Sequence, residues 1–256
     1  MLRWLLWGLL TLLAVAFSFP LRRGVLSSKM SSFKEYDDMD EVEQIRQANA
    51  IMNIQEKLPD VLPLEYRKGG SDEDATTFSL HYCSTVALNP KQTLQIFRIF
   101  ETNMKEHYEA TWGWNRNDKM KELFHPASRF IVASSAPATG IDQVDAATIV
   151  GFTIYRFDWD DEDEPEHPVV YCYELQVDAS HRGYGLGRLF TSLIVAIADK
   201  LKMWKVMLTC FKRNTAAMDF YKHAGFGIDS NSPSLFGSVA EEDFDYEILS
   251  NRPALK

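Results

Sequence analysis

The alternation of hydrophobic and polar positions predicts an ordered series of strands and helices after about residue 76. Short runs rich in β-branched and aromatic residues predict strands at 78–86, 130–133, 148–157, 169–177, 204–210 and 245–249. Apolar residues at helical spacing predict helices at 89–108, 119–124, from the turn at 182–187 to about 201, and at 215–224. A chain in which short strands and helices alternate in this way is predicted to be an α/β domain.

The residues before that domain divide into two parts. Residues 1–30 contain an almost unbroken apolar run at 4–19, which is shorter than the about 20 residues that a membrane-spanning helix usually needs. A signal peptide, a signal anchor and an upstream extension, with Met30 as the working start, all remain open interpretations. Residues 31–70 are polar and compatible with helix, and we expect them to form a helical extension ahead of a domain at 71–250.

The most informative stretch joins the predicted strand at 169–177 to the helix that follows. After a polar break, the chain continues with Arg182, Gly183, Tyr184, Gly185, Leu186, Gly187 and Arg188. Glycines let a phosphate approach the backbone, and a helix start directs free N–H groups and partial positive charge toward it. The spacing matches neither a dinucleotide-binding G-x-G-x-x-G nor a Walker loop, and an ordinary glycine-rich turn is the alternative. We therefore predict a site for a phosphate-bearing ligand at this turn.

Composition and charge narrow the classes of ligand. The formal net charge is −9, which argues against direct nucleic-acid binding and favours basic substrates. The three cysteines are widely spaced and odd in number, which argues against a disulfide framework and favours a reducing compartment. The six histidines show no metal-ligand spacing beside those cysteines, so no metal site is expected.

Seven carboxylates crowd the nine residues at 158–166, directly before the predicted strand at 169–177. Such a run is typical of a solvated hairpin tip. The functional alternative is a surface that attracts a cationic substrate, because this segment leads directly into the strand that precedes the glycine turn. Both interpretations stay open at the level of sequence.

Glu174 is the candidate general base. It lies inside a run of Tyr, Cys and Leu at mid-strand, where a carboxylate is costly unless it is solvated or functional. Partial burial would raise its pKa toward neutrality, which suits proton transfer, either directly or through a water molecule. The alternative is a glutamate on the wet face of an antiparallel strand.

Arg182, Gly185 and Gly187 match R-x-x-G-x-G, which resembles the coenzyme A pyrophosphate loop of the GNAT acetyltransferase superfamily. Other motifs, in matching order, resemble the N-alpha-acetyltransferase D family: W-G-W at 112–114, R-F-D at 156–158, Y-C-Y-E at 171–174, K-V-M-L-T at 205–209, S-P-S at 232–234 and Y-E-I-L-S at 246–250. The resemblance covers nearly everything after about residue 33. It implies the GNAT fold, with a central mixed, mostly antiparallel sheet flanked by helices. It also implies acetyl transfer from acetyl-CoA to the N-terminal α-amine of histones that begin Ser-Gly-Arg-Gly.

The resemblance assigns the cofactor cleft as well. It implies that acetyl-CoA is held by the central strand, by the glycine turn at 182–188, and by a neighbouring strand end and helix start. Apart from the turn, the residues concerned are Leu175, Gln176, Val177, Thr209 and Asn214.

For catalysis, Tyr171 joins the candidate base Glu174, and the resemblance implies Tyr221 as the acid that protonates the leaving thiolate. For recognition, it implies that Asp158 pairs with an arginine side chain of the substrate and that tyrosines orient its first amides. The implied substrate-binding set is Tyr108, Trp112, Asp158, Tyr171, Tyr173, Asn231 and Tyr246.

Two departures from that family concern location and substrate. The family has a basic N-terminal segment and is cytosolic and nuclear, whereas this chain begins with an apolar run and has a longer acidic loop. We expect a monomer in cytoplasm and nucleus, with secretory, organellar or membrane-anchored locations open through residues 1–30. The expected partners are basic protein N-termini, those of histones, and not nucleic acid. The alternatives are a GNAT enzyme for lysine side chains or polyamines, and a non-catalytic, membrane-anchored acyl-CoA-binding module.

Overall fold

The computed structural model describes residues 40–68, 75–135, 147–161, 166–235 and 244–253. The predictions for residues 1–39 and for the tip of the acidic run at 162–165 lie outside the described residues. Within those ranges the strands are β1 (Glu65–Lys68), β2 (Thr76–Ser84), β3 (Arg129–Ser134), β4 (Ile149–Trp159), β5 (Pro168–Val177), β6 (Val206–Phe211), β7 (Gly227–Ile228) and β8 (Tyr246–Asn251). The α-helices there are α1 (Glu41–Ala50), α2 (Ile54–Lys57), α3 (Pro90–Glu109), α4 (Arg116–Leu123), α5 (Leu186–Lys200) and α6 (Thr215–His223).

The strands form one mixed sheet in the order β1-β2-β3-β4-β5-β6-β8-β7. Among the described strands, β5 and β6 are the one parallel pair, and every other neighbouring pair is antiparallel. The prediction of an α/β fold with a mixed, mostly antiparallel sheet flanked by helices is therefore confirmed.

Each face of the sheet carries its own apolar core. On one face, Phe190 and Ile194 of α5 are fully buried against the strands. On the other face, Phe97 and Phe100 of α3 are fully buried. Each such side chain contributes about 1.5–3 kcal/mol of hydrophobic stabilisation. Because both faces are covered, a polar side chain on a central strand needs specific partners.

Helix α3 begins where the sequence predicts, because its first turn is capped from both directions. Asn89 Oδ1 accepts a hydrogen bond from the Gln92 N–H at 2.9 Å, and Gln92 Oε1 accepts one from the Asn89 N–H at 3.0 Å. Pro90 occupies the first turn, where it has no intrahelical N–H to lose. The capped helix then crosses the sheet and carries its last turns over β5.

Two strands, β1 and β7, were not predicted. β1 lies at the edge of the sheet, is mostly exposed, and lacks the alternation that marks a half-buried strand. β7 has only two residues. Because β1 pairs with β2, the sheet begins inside the segment expected to be a helical extension, which also contains α1 and α2. Within the described ranges, no helix has the length and apolarity needed to span a membrane.

Candidate active site

A cleft opens in the sheet where β5 and β6 separate. The parallel pairing of the two strands runs only from Val170 to Cys172 on β5. Beyond that point β5 stays paired with β4 as far as Val177, while β6 stays paired with β8. The second half of β5 therefore has no neighbouring strand on its β6 side in the described sheet. The backbone groups there that no strand or side chain bonds are open to a ligand, whereas the Val177 carbonyl already accepts from Asn103 Nδ2 at 3.1 Å.

A β-bulge in β5 determines which side chains face α3 and α4. Cys172 pairs with Tyr155 and Glu174 pairs with Ile154, so that Tyr173 is an extra residue on this strand. Regular alternation would place Glu174 on the same face as Cys172, which belongs to the core beneath α5. The bulge shifts the alternation by one residue. Glu174 consequently shares the α3 and α4 face with Tyr173.

The glycine turn between β5 and α5 has the geometry of an anion site. Gly183 and Gly185 both have a φ of 85°, a left-handed conformation that other residues adopt at a cost. Gly185 is also the N-cap of α5, and no side chain caps that helix end. A Cβ on Gly185 would lie 2.6 Å from the Tyr66 hydroxyl oxygen, so the turn is closely packed as well. The positive end of α5 is thus left to an external anion.

Glu174 is partly buried within the cleft, and a neutral side chain holds it. Its Oε1 accepts a hydrogen bond from Gln176 Nε2 at 2.7 Å. Burial raises the pKa of Glu174 from its ordinary value to about 7, and the hydrogen bond from Gln176 offsets only part of that rise. The charges of Glu122 and Lys119 on α4 act on this pKa in opposite directions. A carboxyl group of this kind accepts and releases protons near neutral pH.

Four aromatic side chains pack against one another at the ends of β6 and β8, and we call them the aromatic wall: Tyr108, Trp112, Phe211 and Tyr246. The ring centroid of Trp112 lies 4.7 Å from that of Phe211 and 5.4 Å from that of Tyr246. Tyr108 packs edge-on against Phe211, with centroids 5.2 Å apart. Trp112 nevertheless keeps 45% of its surface exposed, so its ring is available for contact with a ligand.

Asp158 lies near the end of β4 and is joined to the bulged residue of β5. The Tyr173 hydroxyl donates to Asp158 Oδ2 at 3.2 Å, and the Trp159 N–H donates to Asp158 Oδ1 at 3.0 Å. The Arg156 guanidinium lies over the Tyr173 ring, 3.8 Å from its centroid. Burial raises the pKa of Asp158 in spite of these contacts. A cationic ligand here would compensate for the cost of burying this charge.

Tyr171, Thr209 and Tyr221 lie around the separation of β5 and β6. The Tyr171 hydroxyl and Thr209 Oγ1 share a hydrogen bond of 2.6 Å. Tyr221 of α6 is buried in the core beneath α5, where Cys172, Cys210 and Glu174 all act on it electrostatically. Burial raises the pKa of Tyr171 and Tyr221, so both hydroxyls keep their protons at neutral pH.

Asn214 and Asn231, two further predicted site residues, make local hydrogen bonds. Asn214 caps α6, and its Oδ1 accepts from the Ala217 N–H at 3.3 Å. Asn231 Nδ2 donates to the Asp160 carbonyl at 3.0 Å and so attaches the segment after β7 to the acidic run. Their suggested roles in cofactor and substrate binding stay predictions.

Comparison with known proteins identifies the family. A model of the acetyltransferase (GNAT) family matches residues 94–226, a stretch from α3 to the end of α6 that includes the cleft and the glycine turn. The chain belongs to the acetyltransferase (GNAT) family.

The individual proteins similar to this GNAT chain share limited sequence with it. It is 36% identical to N-alpha-acetyltransferase 40 of Saccharomyces cerevisiae (strain ATCC 204508 / S288c) over 74 residues, which is 26% of each chain. Among solved structures, it is similar to Ard1 from Thermoplasma volcanium (16% identity, 70% of this chain, 99% of that one, TM-score 0.46). It is also similar to PH1933 from Pyrococcus horikoshii OT3 (18% identity, 69% of this chain, 100% of that one, TM-score 0.47). A third similar structure is that of PaiA N-acetyltransferase from Thermoplasma acidophilum, in complex with coenzyme A (12% identity, 68% of this chain, 99% of that one, TM-score 0.45).

Membership of the acetyltransferase (GNAT) family places the chain among the acyltransferases. The glycine turn fits a diphosphate, because its two left-handed glycines precede an uncapped helix start. The unpaired side of β5 fits an extended chain with amide groups. Of metal sites, the described part of the chain contains no group of three or more His, Cys, Asp or Glu that could hold an ion.

Sequence reasoning missed three side chains that act on Glu174 in this GNAT structure. Lys119 Nζ lies 3.9 Å from the Tyr108 ring centroid and 2.6 Å from Glu122 Oε2, and both charged groups influence Glu174. Asn103 of α3 donates to Gln176, the hydrogen-bond partner of Glu174. None of the three belongs to a motif, because helix docking brings each to β5 from a distant part of the chain.

Proposed function

We propose that this enzyme acetylates the free N-terminal α-amine of proteins, with basic histone-type N-termini beginning Ser-Gly-Arg-Gly as substrates. The observation that carries the proposal is Glu174, a cleft carboxylate whose pKa of about 7 suits removal of a proton from an amine. The acidic Asp158, whose pKa burial raises, and the exposed Trp112 support a basic peptide as the acceptor.

Proton transfer is the chemistry required of the protein's own residues. Acetyl-CoA supplies the thioester carbonyl, at which a C–N bond to the amine forms and the C–S bond breaks. Glu174 accepts the proton that the amine loses, directly or through a water molecule. Tyr221 is the proposed donor to the departing thiolate, and burial keeps its hydroxyl protonated.

Asp158 is the proposed contact for the arginine of the substrate. An arginine side chain offers paired N–H donors that match a carboxylate, and its charge would offset the burial that raises the pKa of Asp158. The exposed face of Trp112 is suited to stack on the peptide or on a guanidinium. Asp160, Asp161 and Glu166 in the acidic run add longer-range attraction for a positively charged N-terminus.

The similarity to yeast N-alpha-acetyltransferase 40 supports an α-amine as the acceptor, because the name of that protein specifies α-amines. The aligned segment spans about a quarter of that relative's length, so the substrate of the whole protein is part of our proposal. A lysine side chain or a polyamine is the competing acceptor, favoured by the same acidic surface.

A peptide assay with acetyl-CoA tests the proposal. Two Ser-Gly-Arg-Gly peptides that carry the same internal lysines are compared, one with a free and one with a blocked N-terminus, and released thiol is measured. We expect thiol release only with the free peptide. Equal release with the blocked peptide would favour lysine acetylation, and release with neither peptide would contradict the proposal.

The assigned role of Asp158 has its own test. We expect Asp158→Asn to raise the KM for the Ser-Gly-Arg-Gly peptide about 10–100-fold, because a charge-assisted hydrogen bond is lost. The matched substrate is Ser-Gly-Ala-Gly, for which the variant and the unmodified enzyme should have similar KM values. An equal loss on both peptides would show that Asp158 does not contact the arginine.

A further inference from the structure

Four side chains form a continuous line of hydrogen bonds from the glycine turn to Glu174. Arg182 Nη2 donates to Asn103 Oδ1 at 2.9 Å, and Asn103 Nδ2 donates to Gln176 Oε1 at 2.8 Å. Gln176 Nε2 in turn donates to Glu174 Oε1 at 2.7 Å. The line connects the turn before α5, helix α3 and strand β5, and it includes both the expected diphosphate contact and the proposed base.

Chemistry at the two ends fixes the direction of every bond in this line. Arg182 only donates, so the Asn103 oxygen must face it and the Asn103 amide nitrogen must face Gln176. An ionised Glu174 only accepts, so Gln176 must present its nitrogen. Both amides are therefore oriented by their neighbours. A line that begins at a cation and ends at a carboxylate also strengthens each bond by polarisation.

Other contacts already attach α3 to the sheet, so that attachment does not explain the hydrogen bonds of Asn103. Gln95, two turns earlier on the helix, already accepts a hydrogen bond from the Ile149 N–H at 2.9 Å. The apolar core under α3 also packs this helix against the sheet. Asn103 instead uses its second N–H to bond the Val177 carbonyl at 3.1 Å. Its amide is thus committed to the second half of β5, where the strand loses its β6 neighbour.

We propose that Asn103 is a positioning residue that, through Gln176, orients the Glu174 carboxylate and links it to Arg182 in the glycine turn. This inference rests on the proposed role of Glu174 as the base. The guanidinium of Arg182 has five N–H donors, so it retains Asn103 while it also contacts a phosphate. The cofactor turn and the base are then parts of one hydrogen-bonded unit.

The groups that interact with Glu174, through a hydrogen bond or electrostatically, lie on several surrounding elements. They are Gln176 and Cys172 on β5, Tyr108 on α3, Lys119 and Glu122 on α4, Cys210 on β6 and Tyr221 on α6. Burial raises the pKa of Cys172 and of Cys210 to about 12, and it raises the pKa of Tyr108 and of Tyr221 well above the ordinary tyrosine value. Lys119 and Glu122 form an ion pair with each other.

The kinetic test compares Asn103→Ala with Gln95→Ala, a matched loss of one side-chain amide from the same helix. We expect Asn103→Ala to lower kcat about 10–100-fold at pH 7, because the base is no longer held in place. The KM for acetyl-CoA should stay within about threefold. The acid limb of the kcat profile should move up by about 0.5–1 pH unit, because Glu174 loses a fixed donor. Gln95→Ala should leave that limb unchanged.

A titration that needs no peptide separates this inference from the proposed function. The carboxyl carbon of Glu174 in 13C-glutamate-labelled full-length protein, assigned by its loss in Glu174→Gln, is followed by NMR from pH 5 to 9. We expect a higher midpoint in Asn103→Ala and a still higher one in Asn103→Asp, which adds a negative charge. Unchanged midpoints in both folded variants would overturn the inference, even if the unmodified protein acetylates peptides. Shifted midpoints with no peptide acetylation would retain the link and reject the proposed substrate.

Discussion

Two carboxylates, the partly buried Glu174 of β5 and the buried Asp229 just after β7, have pKa values that shift in opposite directions. Asp229 Oδ2 lies 2.8 Å from Lys205 Nζ, and both side chains are almost completely buried, with 2% and 3% exposed. Burial alone would raise the pKa of Asp229, but its bonds to Lys205 and to backbone and hydroxyl donors lower it below the ordinary value. Glu174 has a neutral amide as its partner, and its pKa rises to about 7.

The difference shows that the partner, and not burial by itself, decides in which direction the pKa of a carboxylate shifts. A buried ion pair fixes the charge of Asp229 at all pH values near neutrality, so the group stabilises one conformation. A carboxylate held by a neutral donor keeps both protonation states accessible. The two sites therefore predict different consequences for substitution, pH and activity.

The largest effect is expected at Glu174. Glu174→Gln should lower kcat/KM by about 10²–10⁴-fold, because the amide cannot accept the proton of the amine. The measurement is the initial rate of thiol release from acetyl-CoA, with circular dichroism to verify the fold. The matched control is Asp229→Asn, which should weaken the fold while the folded fraction retains its turnover. Unchanged turnover of Glu174→Gln at every pH would remove Glu174 from the mechanism.

The next largest effect is expected at the ion pair. Lys205→Met should lower the free energy of unfolding by about 3–5 kcal/mol, because it leaves the charge of Asp229 buried without compensation. Urea denaturation measures the change. The double variant Lys205→Met/Asp229→Leu should recover most of the loss, since no uncompensated charge remains. If the double variant is as unstable as the single one, the ion pair is not the source of the effect.

The opposite pKa shifts also predict opposite dependences of stability on pH. Glu174 has a folded-state pKa of about 7, above its ordinary value of 4.5, so its contribution to stability falls as pH rises through this interval. The lowered pKa of Asp229 contributes stability at neutral pH that is lost in acid. The free energy of unfolding of Glu174→Gln, measured by urea denaturation relative to that of the unmodified protein, should therefore rise by about 1–2 kcal/mol from pH 5 to pH 8. A constant difference across that range would contradict the raised pKa.

Glu247 gives an intermediate case with the smallest expected effect. It lies 3.3 Å from the partly exposed Lys212, and it also accepts hydrogen bonds from the Ser232 and Ser234 hydroxyls at 2.5 and 2.7 Å. Lys212→Met should cost only about 0.5–1 kcal/mol of unfolding free energy, because the hydroxyls remain and water screens the lysine. Thermal unfolding should show a smaller loss of stability for Lys212→Met than for Lys205→Met. Equal losses would show that the exposure of the lysine does not determine how much its ion pair contributes.

Several features of this protein follow from the sequence alone. Helical and strand periodicities act over neighbouring residues, so α3, α5 and α6 and the strands from β3 to β6 are predicted within a few residues of their observed bounds. The turn after β5 is equally local, because only glycine adopts its left-handed conformations without strain. Edge strands such as β1 escape prediction because their pairing is set by a neighbour and not by their own pattern.

Tertiary structure alone decided how the candidate site is assembled. The bulge at Tyr173 depends on the register between β4 and β5, yet it turns Glu174 away from the core beneath α5 and toward α3. The bond between Asn103 and Gln176 joins residues 73 positions apart and exists only because α3 docks on β5. Local sequence fixes backbone preference, whereas the pKa of a buried acid depends on neighbours that only the folded chain brings together.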